Sequence, residues 1–356
     1  MLPTPTLRGT SSADPGRSRW ARAHFDRWYD ALAAAEAVDR PDPSTWRRGE
    51  LRALLDRGTS DERVHVLLAE EDGDVVGVVD VRCPLTDNRH VAVVQVAVPP
   101  AHRRRGVGSA LLAAALDVAA ATDRTTVRVR VDRPAGRSPR EWPGSLAATR
   151  WGFGAGVPTA RRRLDLPPDA AHLAALEAAA TPHATGYRVR AYAGPVPEED
   201  LDQVAHLSAR MSTDAPHGDL RVEPEHWDGE RVREAEALRA AQGRHQWVAV
   251  AQDEEGRLVA HTVLVRSDHE PERLVQLDTL VLAEHRGHRL GTLVKLACLR
   301  RALADNPAAQ RVSTWNAVSN TPMIAVNEAL GFVLDELQEE REAPVQRVAQ
   351  TLRNRT

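Results

Sequence analysis

Apolar and polar residues alternate along the chain in a pattern that predicts a run of strands followed by a helix and a strand. Two apolar stretches flank the turn Asp72–Gly73, as in a β-hairpin. A strand is predicted at residues 92–98, then a helix at about residues 108–121 and the alternating strand "TTVRVRVD". This order predicts an antiparallel meander that leads into a β-α-β core.

The same order of elements returns in the second half of the chain. "QWVAVAQDEEGRLVAHTVLV" predicts a hairpin, residues 274–282 a strand and residues 292–304 a helix. "RVSTWNA" predicts a further strand. The following "SNTPMIAVNEALGF" predicts a helix with Thr321 as N-cap, Pro322 at its first helical position and Gly331 at its C-terminal end.

Alignment of the two halves indicates that a whole domain was duplicated. At a spacing of 183 residues several pairs coincide, among them Val98 with Val281, His102 with His285, Arg103 with Arg286 and Gly108 with Gly291. Each half begins with helical, Trp-bearing segments, at residues 18–37 and 198–242. We therefore expect an α+β (mixed α/β) fold of two domains, each a mostly antiparallel mixed sheet with helices on both faces. The predicted divisions are a flexible tail at 1–17, a first domain at 18–166, a linker helix at 167–186 and a second domain at 187–356.

Composition and charge exclude several classes of protein. With 42% hydrophobic and 27% charged residues and a formal net charge of −3, the chain is typical of a globular protein and not of a nucleic-acid binder. Cys83 and Cys298 have no metal-ligand or disulfide spacing, so no metal is expected. No apolar run approaches the ~18 residues of a membrane span, and the N-terminus lacks a signal peptide. We expect a soluble, cytoplasmic protein without membrane or nucleic-acid partners.

Its single lysine, Lys295, suggests a GC-rich bacterial genome.

The stretch "VAVPPAHRRRGVGSALLAAAL" places arginines and glycines between a predicted strand and a predicted helix, and the second half repeats the layout. Amides at a helix N-terminus, glycine and arginine suit a pyrophosphate-like anion. There is no G-x-x-x-x-G-K-S/T, which excludes a Walker loop, and Leu111 occupies the third glycine position of a dinucleotide loop. A solvated basic loop remains an alternative that the duplication disfavours. Residues 161–163, all arginine, are interpreted as a solvated strand edge.

Arg103-x-x-Gly106-x-Gly108 resembles the acyl-CoA loop of the GNAT superfamily of N-acetyltransferases, Q/R-x-x-G-x-G/A, which follows the fourth strand of that fold. The segment from Asn320, N-x-x-M-x-x-V-N-E-A-L-G-F, resembles the later motif of the same family. Two such domains in one chain are similar to tandem acetyltransferases of actinobacteria. The resemblance covers roughly residues 18–166 and 187–352.

The resemblance implies acetyl-CoA as co-substrate and names the residues that would bind it. In the first half, strand residues would pair with the pantetheine arm and loop amides would hold the pyrophosphate: Val96, Val98, Arg103, Arg104, Arg105, Gly106, Val107, Gly108 and Ser109. The matching residues of the second half, with the motif asparagine last, are Thr279, Val281, Arg286, Gly287, His288, Arg289, Leu290, Gly291, Thr292 and Asn320.

Both halves depart from the family pattern. Arg289 stands where the second loop should have its first glycine, a position that requires positive φ, which arginine adopts only at a cost. The tyrosine that often acts as general acid in the family is replaced by Asn327 in the second half and by Ala148 in the first. Glu141 occupies the motif-asparagine position of the first half. Neither copy is complete.

An amine that attacks a thioester must first lose a proton, at a cost of about 4.6 kcal/mol at pH 7 for an amine pKa of about 10.4. The second half offers two carboxylates near its fourth strand, Asp278 and Glu284, where the first half has Gln95 and Ala101. The sequence therefore predicts catalysis in the second half.

The expected function is transfer of an acyl group, acetyl above all, from acyl-CoA to the amine of a small molecule, by direct attack on the thioester. We expect a monomer whose halves pair as a pseudo-dimer. The alternative is a CoA-binding regulatory or scaffold protein with degenerate acetyltransferase domains.

Overall fold

The computed structural model describes residues 5–11, 22–38, 40, 42–214, 220 and 222–354. Their contacts form two compact units. The first unit ends at Val157 and resumes at Gln338, and the second runs from Pro158 to Leu337. These divisions differ from the predicted ones. Residues 158–166 and the predicted linker helix at 167–186 belong to the second unit, and the C-terminal segment joins the first.

The first unit contains a sheet with strands in the order β1-β2-β3-β4-β5-β12. Pairing is antiparallel from β1 to β4 and parallel between β4 and β5. The strands are β1 (Thr6–Ser11), β2 (Glu62–Glu71), β3 (Asp74–Pro84), β4 (Val91–Ala97), β5 (Thr126–Pro134) and the later part of β12 (Val333–Pro344). The helices are α1 (Arg22–Glu36), α2 (Arg48–Arg57), α3 (Val107–Ala121), α4 (Pro143–Arg150) and α10 (Val345–Arg353).

The second unit repeats this plan with strands in the order β6-β11-β10-β9-β8-β7. Only β10 and β11 pair parallel among the pairs of this sheet. Its strands are β6 (Val157–Asp165), β7 (Arg188–Ala193), β8 (Arg244–Gln252), β9 (Leu258–Ser267), β10 (Glu270–Val281) and β11 (Arg311–Ala317). Its helices are α5 (Ala170–Ala180), α6 (Leu201–Asp214), α7 (Gly229–Ala241), α8 (Leu290–Asp305) and α9 (Thr321–Ala329).

β1 is a strand where the sequence predicted a flexible tail. Thr6–Ser11 pairs along its whole length with residues 65–70 of β2, and Arg8 Nε lies 2.6 Å from Glu70 Oε2. A six-residue strand among polar neighbours gives only a weak alternating signal, and the pairing partner lies far along the chain. Residues 1–4 and 12–17 of the predicted tail lie outside the described part of the chain.

Helices cover both faces of the first sheet. Gln95 of β4 contacts Glu36 of α1, whereas the adjacent Val94 packs in the core with Leu111 and Leu112 of α3. Since successive residues of a strand point to opposite faces, α1 and α3 lie on opposite faces.

The second sheet is covered in the same way. Gln246 of β8 accepts a hydrogen bond from Arg239 of α7 at 2.9 Å, whereas the adjacent Trp247 donates to Asp305 of α8 at 2.8 Å. The predicted α+β fold, with mostly antiparallel mixed sheets and helices on both faces, is confirmed.

Arg161 and Arg162 of β6 are buried and Arg163 is partly exposed, which corrects the interpretation of these three residues as a solvated edge. Arg161 is 3% exposed and contacts Asp335 at 2.6 Å and Glu336 at 3.2 Å. β6 pairs along the full length of β11, so its side chains are enclosed by the second unit. Charged residues are almost never buried unless paired, and here acidic residues of β12 supply the partners.

Lys295 lies in the core of the second unit. Its ammonium nitrogen is 5.8 Å from the Phe332 ring centroid, and its side chain is 3% exposed. Burial lowers the pKa of Lys295 from 10.5 to about 7, because the charged form loses its hydration. The corresponding residue of α3 in the first unit is the fully buried Leu112.

We expect Lys295→Leu, which copies the first unit, to raise the free energy of unfolding at pH 7 by several kcal/mol, at most roughly 5. Between about pH 7 and 10.5 the unfolded wild-type chain binds a proton that the folded chain does not, so wild-type stability rises with pH in this window. The variant lacks this rise. Urea unfolding at several pH values measures both effects, with the exposed Arg301→Leu as control. Equal pH slopes in Lys295→Leu and wild type would contradict the expectation.

Candidate functional site

The two predicted anion loops have the same backbone plan. In the first unit, β4 leads through a short turn at Pro100–His102 into α3, whose N-cap Gly106 has φ 88° and ψ −13°. In the second unit, β10 leads through Ala283–His285 into α8, whose N-cap Arg289 has φ 57° and ψ 15°. Both helices therefore begin at a left-handed residue, with their first-turn amides directed at the loop.

A side-chain hydrogen bond fixes each loop in the same way. Arg103 Nε donates to the carbonyl of Val98 at 2.9 Å, and Arg286 Nε donates to the carbonyl of Val281 at 3.2 Å. These arginines occupy the first position of the acyl-CoA motif and hold the loop against the end of its strand.

Each loop contains two residues in the left-handed conformation, one of them a glycine. The glycine is the second of the two in the first loop and the first of the two in the second loop. The first loop has Arg104 at φ 64° and Gly106 at φ 88°, whereas the second has Gly287 at φ 92° and Arg289 at φ 57°. Arg289 thus adopts the conformation that the motif glycine provides, at a cost of about 1–2 kcal/mol. The missing glycine does not change the path of the second loop.

A cavity of about 520 Å³ opens beside the first loop. β4 and β5 pair only as far as Val94 with Val129, and the cavity occupies the opening that follows. Most first-half residues predicted to bind CoA line it, namely Val96, Val98, Arg103, Arg104, Gly106, Gly108 and Ser109. Arg105 instead contacts Glu71 at 2.7 Å, and Val107 is buried in the core.

The start of α3 is shaped to admit a ligand. A Cβ at Gly108 would lie 3.2 Å from Trp151 Cζ2, so glycine lets this ring pack closely against the first turn. Trp151 Nε1 donates to Ser109 Oγ at 3.0 Å and holds the ring there. Helix N-terminal amides, the left-handed Gly106 and the flanking Arg104 fit a pyrophosphate, and the strand opening fits an extended pantetheine arm.

Glu36 at the end of α1 lines the same cavity and was missed in the sequence. It is 8% exposed, and its two carboxylate oxygens accept hydrogen bonds from Gln95 Nε2 and Thr45 Oγ1. Burial raises the pKa of Glu36, since the charged form is desolvated. The signal was present: Glu36 continues the apolar stripe of Trp28 and Leu32 at helical spacing, where a carboxylate is out of place.

Further charged side chains surround Glu36. Arg130 Nε lies 3.2 Å from Asp132 Oδ2, and this carboxylate raises the pKa of the guanidinium. Burial raises the pKa of Asp80, which contacts Arg82 at 3.3 Å. The arrangement provides a buried proton acceptor at the strand opening, within a network of ion pairs.

The two predicted catalytic carboxylates of the second half, Asp278 and Glu284, are both exposed. Asp278 lies in an irregular segment of β10, between its pairs at Gln276 and Thr279 with β9. Asp278 affects the pKa of the buried His261. Burial lowers this pKa, and the negative charge of Asp278 opposes the shift. Among the described residues, neither ring nitrogen of His261 has a hydrogen-bond partner.

Side chains of the second loop contact other parts of their unit. Thr279 Oγ1 lies 2.7 Å from Thr262 Oγ1, Arg286 contacts Asp214 at 3.1 Å, and His288 Nδ1 lies 3.0 Å from the carbonyl of His183. Leu290 and Thr292 are buried at the start of α8, whereas Gly287 and Gly291 keep the loop open. The second-half residues predicted to bind CoA therefore lie around the loop. The side chains of Thr279, Arg286 and His288 also contact other parts of the second unit.

Asn320, predicted to contact CoA, is the N-cap of α9. Its Oδ1 accepts a hydrogen bond from the amide of Met323 at 3.3 Å, so the cap is one residue before the predicted Thr321. Asparagine is among the strongest N-cap residues. Helix capping and ligand contact are separable roles for this side chain.

We expect Asn320→Ala to lower the free energy of unfolding by about 1 kcal/mol, because the helix loses its cap, and Asn320→Ser to restore it. Thermal unfolding measures this difference. Calorimetry with CoA tests the second role: a CoA contact predicts that Asn320→Ala weakens affinity by about 0.5–1.5 kcal/mol. Equal CoA affinity in all three proteins would leave Asn320 as a cap alone.

Two kinds of feature are not found within the described ranges. None of the helices there has both the length and the apolar content needed to cross a membrane. No group of three or more His, Cys, Asp or Glu side chains in that part of the chain is placed to hold a metal ion.

Comparison with known proteins identifies the family. The sequence matches the acetyltransferase (GNAT) family twice, over residues 25–137 and 210–332. No curated protein sequence matches the chain. Its fold is similar to a tandem GNAT protein from the clavulanic acid biosynthesis pathway, with a TM-score of 0.74 and 26% identity over 96% of this chain and 99% of that one. A GCN5-related N-acetyltransferase from Sphaerobacter thermophilus shares the fold at a TM-score of 0.57 and 14% identity, covering 95% of this chain and 96% of that one. With one family match in each half, this protein belongs to the GNAT acetyltransferase family.

Proposed function

We propose that the protein transfers an acyl group, acetyl above all, from acyl-CoA to the amine of a small molecule, and that the first unit carries out this reaction. One observation carries the proposal. A single cavity of the first unit is lined both by the loop glycines Gly106 and Gly108 and by the buried carboxylate of Glu36. Ligand-binding cavities of several hundred Å³ with a few convergent polar groups are typical of enzyme sites.

The chemistry needs a proton acceptor beside the reacting amine. Acyl-CoA supplies an acyl carbon activated by its thioester, and the amine displaces the thiolate as the C–N bond forms. Glu36 takes the amine proton. A carboxylate whose pKa is raised by burial is a better proton acceptor than an ordinary one, because its pKa lies closer to neutral pH. Gln95 and Thr45 hold both of its oxygens and fix its position.

This assignment differs from the sequence-based expectation about the first half. Gln95 is not a base, but its side chain donates a hydrogen bond to the proposed base, Glu36 of α1. Catalysis in the second unit through Asp278 remains a prediction, supported by the shared loop conformation and by the neighbouring His261. Both units can be tested separately, because each has its own candidate carboxylate.

Release of the CoA thiol from acetyl-CoA, measured over a panel of small amines with mass spectrometry of the products, tests the proposal. We expect amine-dependent thiol release and an acylated amine. Binding of acetyl-CoA without thiol release above background for any amine would support the alternative, a CoA-binding regulatory or scaffold protein. Sedimentation of the same sample checks the predicted monomer.

A further inference from the structure

The buried carboxylate of Glu36 lies between two cavities. It lines the large cavity beside the first loop and also a small cavity of about 20 Å³, and Gln95 and Arg130 likewise line both. Asp80 of β3 lines only the small one of the two. Resting on the proposed function, we propose that Asp80 receives the first of two protons that leave the acceptor nitrogen, passed on by Glu36, and so frees Glu36 to take the second. Asp80 does not touch the substrate and acts through Glu36.

The number of protons in the reaction requires a second acceptor. An aliphatic amine with a pKa of about 10.4 enters as an ammonium ion at neutral pH. Its nitrogen loses one proton before it attacks the thioester carbon, and another as the C–N bond is completed and the C–S bond breaks. The second proton passes through Glu36 to the departing sulfur, which leaves as the CoA thiol. The first must leave the protein, and since a carboxylate holds one proton at a time, Glu36 has to pass it on.

Gln95 of β4 connects the two carboxylates. Its Nε2 donates a hydrogen bond to Glu36 Oε1, and its backbone stands directly opposite Asp80 in the antiparallel register of β3 and β4. Side chains at directly opposed positions lie on the same face of a sheet, with Cβ atoms about 4.5–5.5 Å apart. Glu36 and Asp80 therefore both adjoin the Gln95 side chain, on the face of the sheet that α1 covers.

The small cavity provides the path between them. A volume of about 20 Å³ is enough for one water molecule that has roughly two to four polar partners. Glu36, Thr45, Asp80 and Gln95 are among the polar residues that line the cavity. A water molecule there accepts the proton of Glu36 as it gives one of its own to Asp80. From Asp80 the proton reaches solvent beside Arg82, the next residue on this face of β3, whose side chain is 22% exposed.

Both carboxylates have a raised affinity for protons. Burial raises the pKa of Asp80 and outweighs the nearby guanidinium groups of Arg82 and Arg130, which lower it. Burial also raises the pKa of Glu36. Because the two shifts have the same direction, a proton on Glu36 meets at Asp80 an acceptor that burial has strengthened in the same way. The titratable and charged groups around the two carboxylates are Tyr29 of α1, Arg40, Glu62 of β2, Arg82 of β3, and Arg130 and Asp132 of β5.

The second unit shows that the fold does not require a carboxylate at this position. At the spacing of 183 residues that aligns the two halves, Val263 corresponds to Asp80. A buried carboxylate costs stability where an apolar residue fits, so Asp80 is not explained by packing. The other explanation is its ion pair with Arg82, and the experiment separates this structural role from proton transfer.

The test compares a charged and a neutral acceptor by thiol release from acetyl-CoA. Phenethylamine, or whichever aliphatic amine of the panel reacts fastest, is charged at about pH 8. Its β,β-difluoro analogue is largely neutral there, because fluorine withdraws electrons from the nitrogen, and it has only one proton to lose. We expect Asp80→Asn to lower kcat for the charged amine by about 10- to 100-fold, less than the loss of the base itself. For the neutral analogue, kcat should change by less than about threefold.

Glu62→Gln is the matched control. Arg82 lies 3.3 Å from Asp80 and 3.5 Å from Glu62, so this variant removes the other ion pair of the same arginine and keeps the carboxylate of the cavity. We expect it to retain kcat with both amines. Asp80→Glu, which restores a carboxylate, is expected to recover most of the turnover with the charged amine. Thermal unfolding verifies the fold of each variant, and Asp80→Val, which copies the second unit, takes the place of Asp80→Asn if that variant does not fold.

An equal loss of kcat with both amines in Asp80→Asn would leave Asp80 as a structural residue and overturn its role in proton transfer. Unchanged kcat with both amines would overturn it as well. In either case the proposed function stays intact, because the wild type still releases thiol in response to an amine. Wild-type protein that releases no thiol with any amine would overturn the proposed function and this inference with it.

Discussion

Replacement of Glu36 by glutamine is expected to lower kcat by about 10²- to 10⁴-fold, the usual contribution of a general base. Glutamine has nearly the same shape and stays in the network of Gln95 and Thr45, but it cannot take a proton. Affinity for acetyl-CoA should remain within about twofold, because Glu36 does not lie on the loop that is predicted to hold the phosphates. Steady-state kinetics and calorimetry on the same variant separate the two effects.

The pH profile gives a second readout of the same prediction. The base form of Glu36 exists above its pKa, so kcat/KM of the wild type should fall as the pH falls through that value. Burial raises this pKa, which places the acid limb above the range of an ordinary glutamate. The limb should be absent from the residual activity of Glu36→Gln.

Asp278→Asn is the matched control in the second unit. If the first unit carries out the reaction, this variant keeps its turnover number and its pH profile. The opposite result, loss of turnover in Asp278→Asn with normal turnover in Glu36→Gln, would place catalysis in the second unit, as the sequence predicted. Loss of turnover in both variants would show that each carboxylate is needed, and would remove the assignment to the first unit alone.

Gly108→Glu is expected to eliminate CoA binding by the first unit. A Cβ at this position already comes within 3.2 Å of the Trp151 ring, and a glutamate adds bulk and negative charge where the helix N-terminus must receive phosphate. Calorimetric titration of the variant with CoA should show one binding event fewer than the wild type. If the first unit is active, the variant should also have no turnover.

The corresponding glycine of the second loop provides the comparison. The nearest atom to a Cβ at Gly291 is Val281 Cγ2 at 3.7 Å, an ordinary contact, so Gly291→Ala should leave CoA binding unchanged. Gly291→Glu should remove whatever binding the second unit contributes. A binding isotherm unaffected by Gly108→Glu would mean that the first loop is only a turn.

The loops were predictable from the sequence because their requirements are local. A strand end, a left-handed residue and a helix start follow one another within a short segment, and glycine and arginine report the conformation directly. Even so, the motif alone was misleading at Arg289, since the backbone conformation is retained there with a different residue. Both loops share a pair of positions in the left-handed conformation, and in the second loop Gly287 occupies one of them.

Glu36 could not be assigned because its role depends on a partner far along the chain. It meets Gln95, 59 residues away, only after α1 packs across β4. Periodicity marks Glu36 as lying on the buried face of its helix, but it does not say which strand residue lies opposite.

The division into units was hidden for a similar reason. A strand such as β12 can satisfy the edge of either sheet, and nothing in its own sequence shows that its later part, from Gln338, belongs to the first unit.

The C-terminal segment has a consequence for how the protein is made. Val345 and Val348 of α10 are buried in the core of the first unit, and the amide of Val345 donates to the carbonyl of Thr125 at 3.0 Å. During synthesis, the first unit is therefore completed only after residues 338–353 have left the ribosome, although its other strands emerge first. Until then β5 presents an unpaired edge and α3 an uncovered apolar face, the features that promote aggregation of nascent chains. The half of the molecule that is translated first is the half that is completed last.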